Sequence, residues 1–170
     1  MKIYIACGLT HVPRDFFDTY TNFIHTLAHH FKKRKHIVKY ALVDSDPQLA
    51  KKPFEERAPL CYYWDRNMVE EADVIIAEAS YPSTGLGIEL QIAANNEIPI
   101  ILCFQDDRQL QAHPIEYENP DHKKYTLQVG EGYVSLMALG LPNIYKVIKY
   151  HLHNGIDKIS ESIELLTKSN

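Results

Sequence analysis

Short apolar runs alternate along this chain with longer segments in which apolar residues recur at helical spacing. Five of the runs are rich in β-branched and aromatic residues and predict strands, at residues 2–6, 36–42, 73–77, 99–104 and 144–150. Strands that alternate with helices usually form a parallel sheet covered by helices on both faces. We therefore predict an α/β protein with a flavodoxin-like or Rossmann-like three-layer fold and a five-stranded parallel sheet.

Four segments between and after these runs predict helices, at about residues 14–33, in a stretch that ends near residue 71, at 85–96 and at about 157–168. Residues 105–143 are long for a single connection, and they contain Pro114, Pro120 and Pro142. We predict an exposed loop followed by a small helix in this stretch. The chain would then form a single domain over residues 1–170, with an inserted loop at about 105–134.

The overall charge indicates which partners to expect. The 170 residues include 18 Lys and Arg and 22 Asp and Glu, so the formal net charge is -4 and no basic footprint for nucleic acid is predicted. No apolar run approaches the roughly 18 residues of a membrane span, and the start of the sequence lacks the apolar segment of a signal peptide. We expect a cytoplasmic protein that binds a small molecule and neither nucleic acid nor membranes.

The usual metal ligands show no metal-binding spacing. Cys7, Cys61 and Cys103 are far apart and form no CxxC pair, so they predict neither a disulfide framework nor a zinc site. His25 and His29 would share a helix face, but no HExxH glutamate accompanies them. We expect no metal.

A glycine-containing loop after the third predicted strand is the first candidate binding feature. In the stretch SYPSTGLGIE, residues 80–89, Gly85 and Gly87 let a ligand approach the backbone, and amides at the helix start attract an anion. The stretch is not GxGxxG and has no Walker lysine, which argues against a dinucleotide or triphosphate ligand. Ligands of parallel sheets bind beyond the carboxyl ends of the strands, where this loop begins.

Two carboxylates near this loop are candidates for chemistry. Glu89 would lie near the first turn of the helix, where the dipole favours the ionised form of a nucleophile, although a solvent-facing residue would also suit that place. Asp65 would be either a charge on the helix surface or a second acid facing the same sugar. Two such carboxylates suit glycosidic chemistry, in which one attacks carbon and the other manages protons or a hydroxyl. Glu78, Asp44 and Asp46 have weaker claims.

The block YYWDRNMVEEADVIIAEASYPSTGLGIELQIA, residues 62–93, resembles the signature of the nucleoside 2-deoxyribosyltransferase family, which includes the 2′-deoxynucleoside 5′-monophosphate N-glycosidases. The signature consists of an Asp, then AD-apolar-AE, then PS-x-G-x-G-x-E-L. The resemblance implies that Glu89 is the nucleophile that attacks the anomeric carbon. It also implies that Asp65 contacts the sugar or assists departure of the base, and that Tyr4 is the first-strand tyrosine near the nucleophile.

The same resemblance implies a binding pocket and an oligomer. Ser83, Gly85 and Gly87 match the loop that holds the 5′ end of the nucleotide. Ser135, in YVSLMALG, matches a serine that a neighbouring protomer contributes to that pocket. We therefore expect a homodimer or a higher homo-oligomer.

The first loop departs from the family pattern. N-glycosidases that act on monophosphates tend to carry Gly-Ser-x-Arg-Gly-Gly there, whereas this chain has CGLTHVPRDF at residues 7–16. Gly8, Thr10 and Arg14 are the candidate substrate-binding residues of this loop, and Arg14 would reach a phosphate from a different spacing. The sequence leaves open whether the substrate is a nucleoside or a 5′-monophosphate.

The resemblance as a whole implies an enzyme that cleaves or transfers at the N-glycosidic bond of a (deoxy)nucleoside or nucleoside 5′-monophosphate. The reaction would pass through a glutamate nucleophile and a covalent sugar intermediate, and it requires no cofactor. The alternative is a catalytically inactive nucleotide-binding regulatory module on the same fold. The choice between hydrolysis and transfer, like the preferred base, is left open by the sequence.

Overall fold

A parallel β-sheet forms the centre of the fold in the computed structural model, which describes residues 1–169. Its strands are β1 (Lys2–Cys7), β2 (Ile37–Tyr40), β3 (Val74–Glu78), β4 (Ile100–Gln105) and β7 (Ile144–Tyr150), while β5 (Glu116–Glu118) and β6 (Lys124–Thr126) form a separate hairpin. The order is β2-β1-β3-β4-β7, and all neighbouring strands are parallel. The predicted α/β class and five-stranded parallel sheet are confirmed.

Seven α-helices connect or follow the described strands. They are α1 (Arg14–Lys33), α2 (Ala41–Asp44), α3 (Asp46–Leu49), α4 (Phe54–Glu70), α5 (Thr84–Asn95), α6 (Leu136–Leu139) and α7 (Gly155–Ser169). The four predicted long helices correspond to α1, α4, α5 and α7. The short helices α2 and α3 did not emerge from the pattern because four residues are too few to show a helical period. Within residues 1–169, no helix has the length and apolar character needed to cross a membrane.

Helices on both faces of the sheet bury two sets of apolar side chains. On one face, Leu27 of α1 and Ile159 of α7 pack against the sheet, and on the other face Val69 of α4 and Leu90 of α5 do so. All five residues of β3 are buried, because this central strand is covered on both sides. Full burial of each such aliphatic side chain stabilises the fold by about 1.5–3 kcal/mol.

The insertion contains more regular structure than an exposed loop. After a short 3-10 turn at Arg108–Leu110, β5 and β6 form an antiparallel hairpin in which Tyr117 pairs with Tyr125. The small helix expected after the loop is α6. The hairpin was missed because each of its strands has only three residues and both are exposed, so no apolar alternation marks them.

The strand order creates a crevice beside β1. The chain proceeds from β1 to β2 on one side, whereas β3 and the later strands lie on the other side, so the order reverses between β1 and β3. In open parallel sheets, ligands bind at such a reversal, beyond the carboxyl ends of the strands. The loops that follow β1 and β3 therefore form the expected binding region.

Candidate active site

A cleft of about 440 Å³ lies beside the loops that follow β1 and β3. Its volume is in the range of pockets that hold small molecules. The first loop, the α2–α3 region, α4 and the start of α5 all contribute to its walls. The polar and sulfur-containing side chains that line it are Cys7, Thr10, Ser45, Asp46, Cys61, Tyr62, Asp65, Arg66, Ser83 and Glu89.

Glu89 and Tyr4 form the shortest described contact of this cleft. The Tyr4 hydroxyl, on β1, donates a hydrogen bond to Glu89 Oε1, on α5, over 2.5 Å. Tyr4 is 1% exposed and Glu89 8% exposed, so both polar groups are largely removed from water. Tyr4 faces α5 because side chains alternate along a strand, and its neighbours Ile3 and Ile5 face α1 and α7 instead.

The loop before α5 sets the position of Glu89. Ser83 is the N-cap of α5: its Oγ accepts from the Leu86 amide over 3.2 Å, and its carbonyl accepts from the Gly87 amide. Gly8, in the first loop, lies so close to this cap that a Cβ at position 8 would be 2.8 Å from the Ser83 Cβ. The close approach of the two loops therefore requires a glycine at position 8.

Asp65 reaches the same cleft from α4. Its Oδ2 accepts from the Cys61 thiol, one helical turn earlier, over 3.3 Å. Its Oδ1 is buried and has no hydrogen-bond partner among residues 1–169. A buried oxygen without a partner is unfavourable by about 1–3 kcal/mol unless a ligand supplies a donor. A sugar hydroxyl entering the cleft would supply one.

Burial dominates the electrostatics of Glu89. Removal from water raises the pKa of its carboxyl to about 8, the hydrogen bond from Tyr4 lowers the pKa in part, and the Asp65 charge raises it further. The expectation that a helix start favours the ionised form of Glu89 is therefore wrong. The reason is that α5 begins at Thr84, so Glu89 lies beyond the first turn and inside the protein. Burial also raises the pKa of the Tyr4 hydroxyl, which stays a donor.

A buried carboxyl holds the loop after β3 from the opposite face of the sheet. Glu78 is fully buried, and its Oε1 accepts from the Tyr150 hydroxyl over 2.9 Å and from the Ser80 hydroxyl. Ser80 Oγ in turn accepts from the Gln105 amide over 2.8 Å. Burial raises the pKa of Glu78. Glu78 is absent from the cleft lining, so its weak claim to chemistry becomes a structural part in anchoring the loop that leads to Ser83.

Comparisons with known proteins test the family resemblance that the sequence motif predicts. No family model matches the chain. A Methanosarcina barkeri protein provisionally named 2′-deoxynucleoside 5′-phosphate N-hydrolase 1 is 32% identical over 78 residues, which are 46% of this chain and 48% of that protein. A Methanosarcina mazei protein of the same provisional name is 33% identical over 63 residues, 37% and 39% of the two chains. The aligned part thus spans half or less of these curated relatives.

The predicted family resemblance is confirmed. Solved structures agree in fold: a CMP N-glycosidase of Clostridium botulinum superposes with a TM-score of 0.57 at 16% identity and covers 95% of this chain and 99% of that one. A conserved protein from Enterococcus faecalis V583 gives a TM-score of 0.58 at 16% identity over 94% of this chain and 97% of that one. At such identities the superpositions show that the fold is shared. The chain thus shares its fold with these two solved structures and a stretch of its sequence with the two Methanosarcina relatives.

Most positions that the nucleoside 2-deoxyribosyltransferase resemblance singles out lie at this cleft. Thr10, Asp65, Ser83, Gly85 and Glu89 line it, the first-strand tyrosine contacts the glutamate, and the first-loop glycine packs against the Ser83 cap. Their roles in binding or reaction remain predictions.

Two other predicted positions line a second cleft instead. Gly87 and Ser135 belong to a cavity of about 480 Å³ between the start of α5 and the insertion, and Ser83 lines both cavities. Ser135 is exposed and caps α6, where its Oγ accepts from the Ala138 amide over 3.3 Å. Within one chain, Ser135 therefore does not line the cleft of Glu89.

Arg14 also lies away from the lining of the cleft that contains Glu89, the reactive cleft. It is exposed in the first turn of α1, and its guanidinium carbon lies 5.5 Å from the centroid of the Phe17 ring. Conversely, several polar or sulfur-containing residues of the cleft lining have no predicted role, among them Cys61 and Arg66. The four-residue spacing from Cys61 to Asp65 on a helix was the signal that could have revealed the first of them.

Proposed function

We propose that this protein is an enzyme that cleaves or transfers at the N-glycosidic bond of a (deoxy)nucleoside or nucleoside 5′-monophosphate. The observation that carries the proposal is the hydrogen bond from Tyr4 to Glu89 at the wall of a cleft that Asp65 also lines. The provisional names of the two Methanosarcina relatives support the same reaction class. A binding site alone would not require two acids and a buried tyrosine in this arrangement.

Glu89 acts as the nucleophile in the first half of the proposed reaction. Its ionised carboxylate forms a bond to C1′ of the sugar while the bond from C1′ to the base nitrogen breaks. The electron pair of that bond leaves with the base, which takes up a proton. The Tyr4 hydroxyl stabilises the ionised form of Glu89 before attack, since its hydrogen bond lowers the pKa of that carboxyl.

Asp65 serves the sugar or the departing base. Its free Oδ1 can accept a hydrogen bond from a sugar hydroxyl, which would orient C1′ toward Glu89. In the second half of the reaction, water or a second base attacks C1′ and releases a proton to solvent, while the bond to Glu89 breaks with its electrons returning to the carboxylate. Attack by water completes hydrolysis, and attack by a base completes transfer.

Intact mass spectrometry tests the proposal directly. The protein is mixed with a panel of nucleosides and 5′-monophosphates, and we expect an added sugar mass on the wild type and free base in solution. Glu89→Gln should show neither, whereas the matched variant Glu161→Gln, altered at an exposed position of α7, should behave as the wild type. Unchanged base release by Glu89→Gln would remove Glu89 from the reaction.

The same panel distinguishes the alternative, a nucleotide-binding module without turnover. Binding to the native state raises its thermal stability whether or not chemistry follows. A nucleotide that raises the midpoint of thermal unfolding but never releases base would favour the binding module. Release of base that depends on Glu89 would exclude it.

The proposed assembly is a homodimer or higher homo-oligomer in which Ser135 of one protomer reaches the reactive cleft of another. Ser135 is exposed and does not line the Glu89 cleft of its own chain, which supports a contribution to the cleft of a neighbouring protomer. Sedimentation equilibrium should give at least twice the 19.6 kDa mass of the chain. A monomer at working concentration would contradict the assembly without affecting the role of Glu89.

A further inference from the structure

We propose that the reactive cleft selects an uncharged nucleoside over the corresponding 5′-monophosphate. This inference rests on the proposed function and specifies its substrate class. It is carried by the identity of the charged and hydroxyl-bearing side chains around the cleft.

Acidic side chains outnumber basic ones in the cleft lining. Asp46, Asp65 and Glu89 line the cleft, and Arg66 is the single Lys or Arg that does so among the described residues. Arg66 already has an acidic partner, since its Nε donates to Glu70 Oε1 over 2.7 Å. A phosphate dianion would therefore meet two aspartates, Glu89 in those molecules in which it is ionised, and one cation that already has an acidic partner.

The first loop adds no cation to this lining. Arg14 is exposed in the first turn of α1, where its guanidinium lies against the Phe17 ring, and it does not line the cleft. The first-loop polar side chain that does line the cleft is Thr10, which is uncharged. Phosphate sites in proteins usually present an Arg or Lys to the phosphate oxygens, often with two parallel hydrogen bonds.

The start of α5 is partly committed to internal hydrogen bonds. Helix starts bind phosphate through free backbone amides. In α5, the Leu86 amide already donates to Ser83 Oγ, whereas the bond from the Gly87 amide to the Ser83 carbonyl is the first regular bond of the helix. The Ser83 side chain therefore occupies one of the amides that a phosphate would otherwise use at this helix start.

Hydroxyl groups, in contrast, are plentiful around the cleft. Thr10, Ser45, Tyr62 and Ser83 all line it. Ser45 is buried and its hydroxyl already donates to the Ala41 carbonyl over 3.4 Å, so the hydroxyls that can donate to a ligand are those of Thr10, Tyr62 and Ser83. Because Ser83 Oγ is an acceptor toward the helix, its own proton stays available to a ligand oxygen. Such a lining matches the 5′-hydroxyl of a nucleoside. The inference separates this chain from the two Methanosarcina relatives, whose provisional names specify 5′-phosphates.

Matched substrate pairs test the inference. The kcat/KM for base release is measured for each common deoxynucleoside and ribonucleoside and for the 5′-monophosphate of each. We expect the preferred nucleoside to exceed its monophosphate by at least about 10-fold, the equivalent of about 1.4 kcal/mol. Equal values, or a preference for the monophosphate, would overturn the inference. If neither member of any pair is cleaved, the proposed function itself fails.

Ionic strength identifies the cause of the selection. Salt screens charge repulsion, so the kcat/KM for the monophosphate should rise as NaCl is increased from 0.02 to about 0.3 M, while that for the nucleoside stays nearly constant. A fall with salt for the monophosphate would show attraction instead and would refute the charge argument.

A cation added at position 10 provides the complementary test. Thr10→Arg places a guanidinium in the wall of the cleft, and Thr10→Gln is the matched neutral variant. We expect Thr10→Arg to raise the ratio of monophosphate to nucleoside kcat/KM at least about 10-fold relative to Thr10→Gln. Equal ratios in the two variants would contradict the inference that missing positive charge excludes the phosphate.

Discussion

Replacement of Glu89 by glutamine should abolish the proposed reaction and yet make the protein more stable. The carboxyl has a pKa of about 8 in the folded protein, against an ordinary value of 4.5. Between these values the unfolded chain releases a proton that the native state retains, so the stability of the wild type falls as pH rises from 4.5 to 8. Glutamine cannot ionise, and its Oε1 can still accept from Tyr4, so this loss is absent in the variant.

The pKa difference sets the size of the effect. At 1.36 kcal/mol for each unit of pKa, burial of Glu89 lowers stability by about 5 kcal/mol above pH 8 and by about 3 kcal/mol at pH 7. At pH 5 the same calculation gives less than about 1 kcal/mol. The stability difference between Glu89→Gln and the wild type should therefore grow with pH and level off above pH 8.

Urea unfolding at pH 5.0, 7.0 and 8.5 measures this difference, with the fluorescence of Trp64 as a probe because it is the only tryptophan of the chain. Glu161→Gln, the same substitution at an exposed position, should differ from the wild type by a small amount that does not change with pH. A stability gain in Glu89→Gln that is independent of pH would refute the reasoning. Lower stability than the wild type at pH 8.5 would do so as well.

Three further results are expected from the geometry of the site. The kcat/KM for base release should rise with pH up to about 8, because Glu89 must be ionised to attack. Asp65→Asn removes a charge that raises the pKa of Glu89, so the rise in kcat/KM should occur at lower pH in this variant. The pH profiles of kcat/KM for the wild type and for Asp65→Asn measure this shift. Tyr4→Phe removes a hydrogen bond to the attacking carboxylate, worth about 1.5–3 kcal/mol, so kcat/KM at pH 7 should fall about 10-fold or more while the pH limb moves upward. Unmoved pH limbs in both variants would contradict the assigned electrostatics. Gly8→Ala forces the loop after β3 to shift and should destabilise the protein by about 1–3 kcal/mol in urea unfolding, whereas Gly87→Ala, whose new Cβ meets no atom within 4 Å, should not. Equal losses in the two glycine variants would show that the close contact is unimportant.

The sheet and its long helices could be predicted because their signals are local. The strand β3 reads as a continuous apolar run since helices cover both of its faces, and α1 displays its buried stripe over twenty residues. The hairpin of β5 and β6 could not be predicted in the same way. Its three-residue strands are exposed, and the pairing of Tyr117 with Tyr125 leaves no periodic trace in the sequence.

The candidate site shows where local signals end. The motif located Glu89, Asp65 and the Ser83 loop, because these residues lie within one continuous block of sequence. The environment of Glu89 depends on contacts over long distances along the chain, above all with Tyr4, which is 85 residues away. A helix start was expected to favour ionisation of Glu89, and burial reverses that effect. Burial of this kind is a property of tertiary packing and has no local signature.

The pKa of Glu89 therefore links the stability of the protein to its proposed reaction. With a pKa near 8, about a tenth of the free protein would carry an ionised Glu89 at pH 7, a cost of about 1.4 kcal/mol for reaching the nucleophilic form. The cost is modest because Tyr4 donates to the carboxylate, and without that hydrogen bond burial and the Asp65 charge would act unopposed. The hydrogen bond from Tyr4, on strand β1, is thus the interaction that favours the ionised, nucleophilic form of this buried carboxyl.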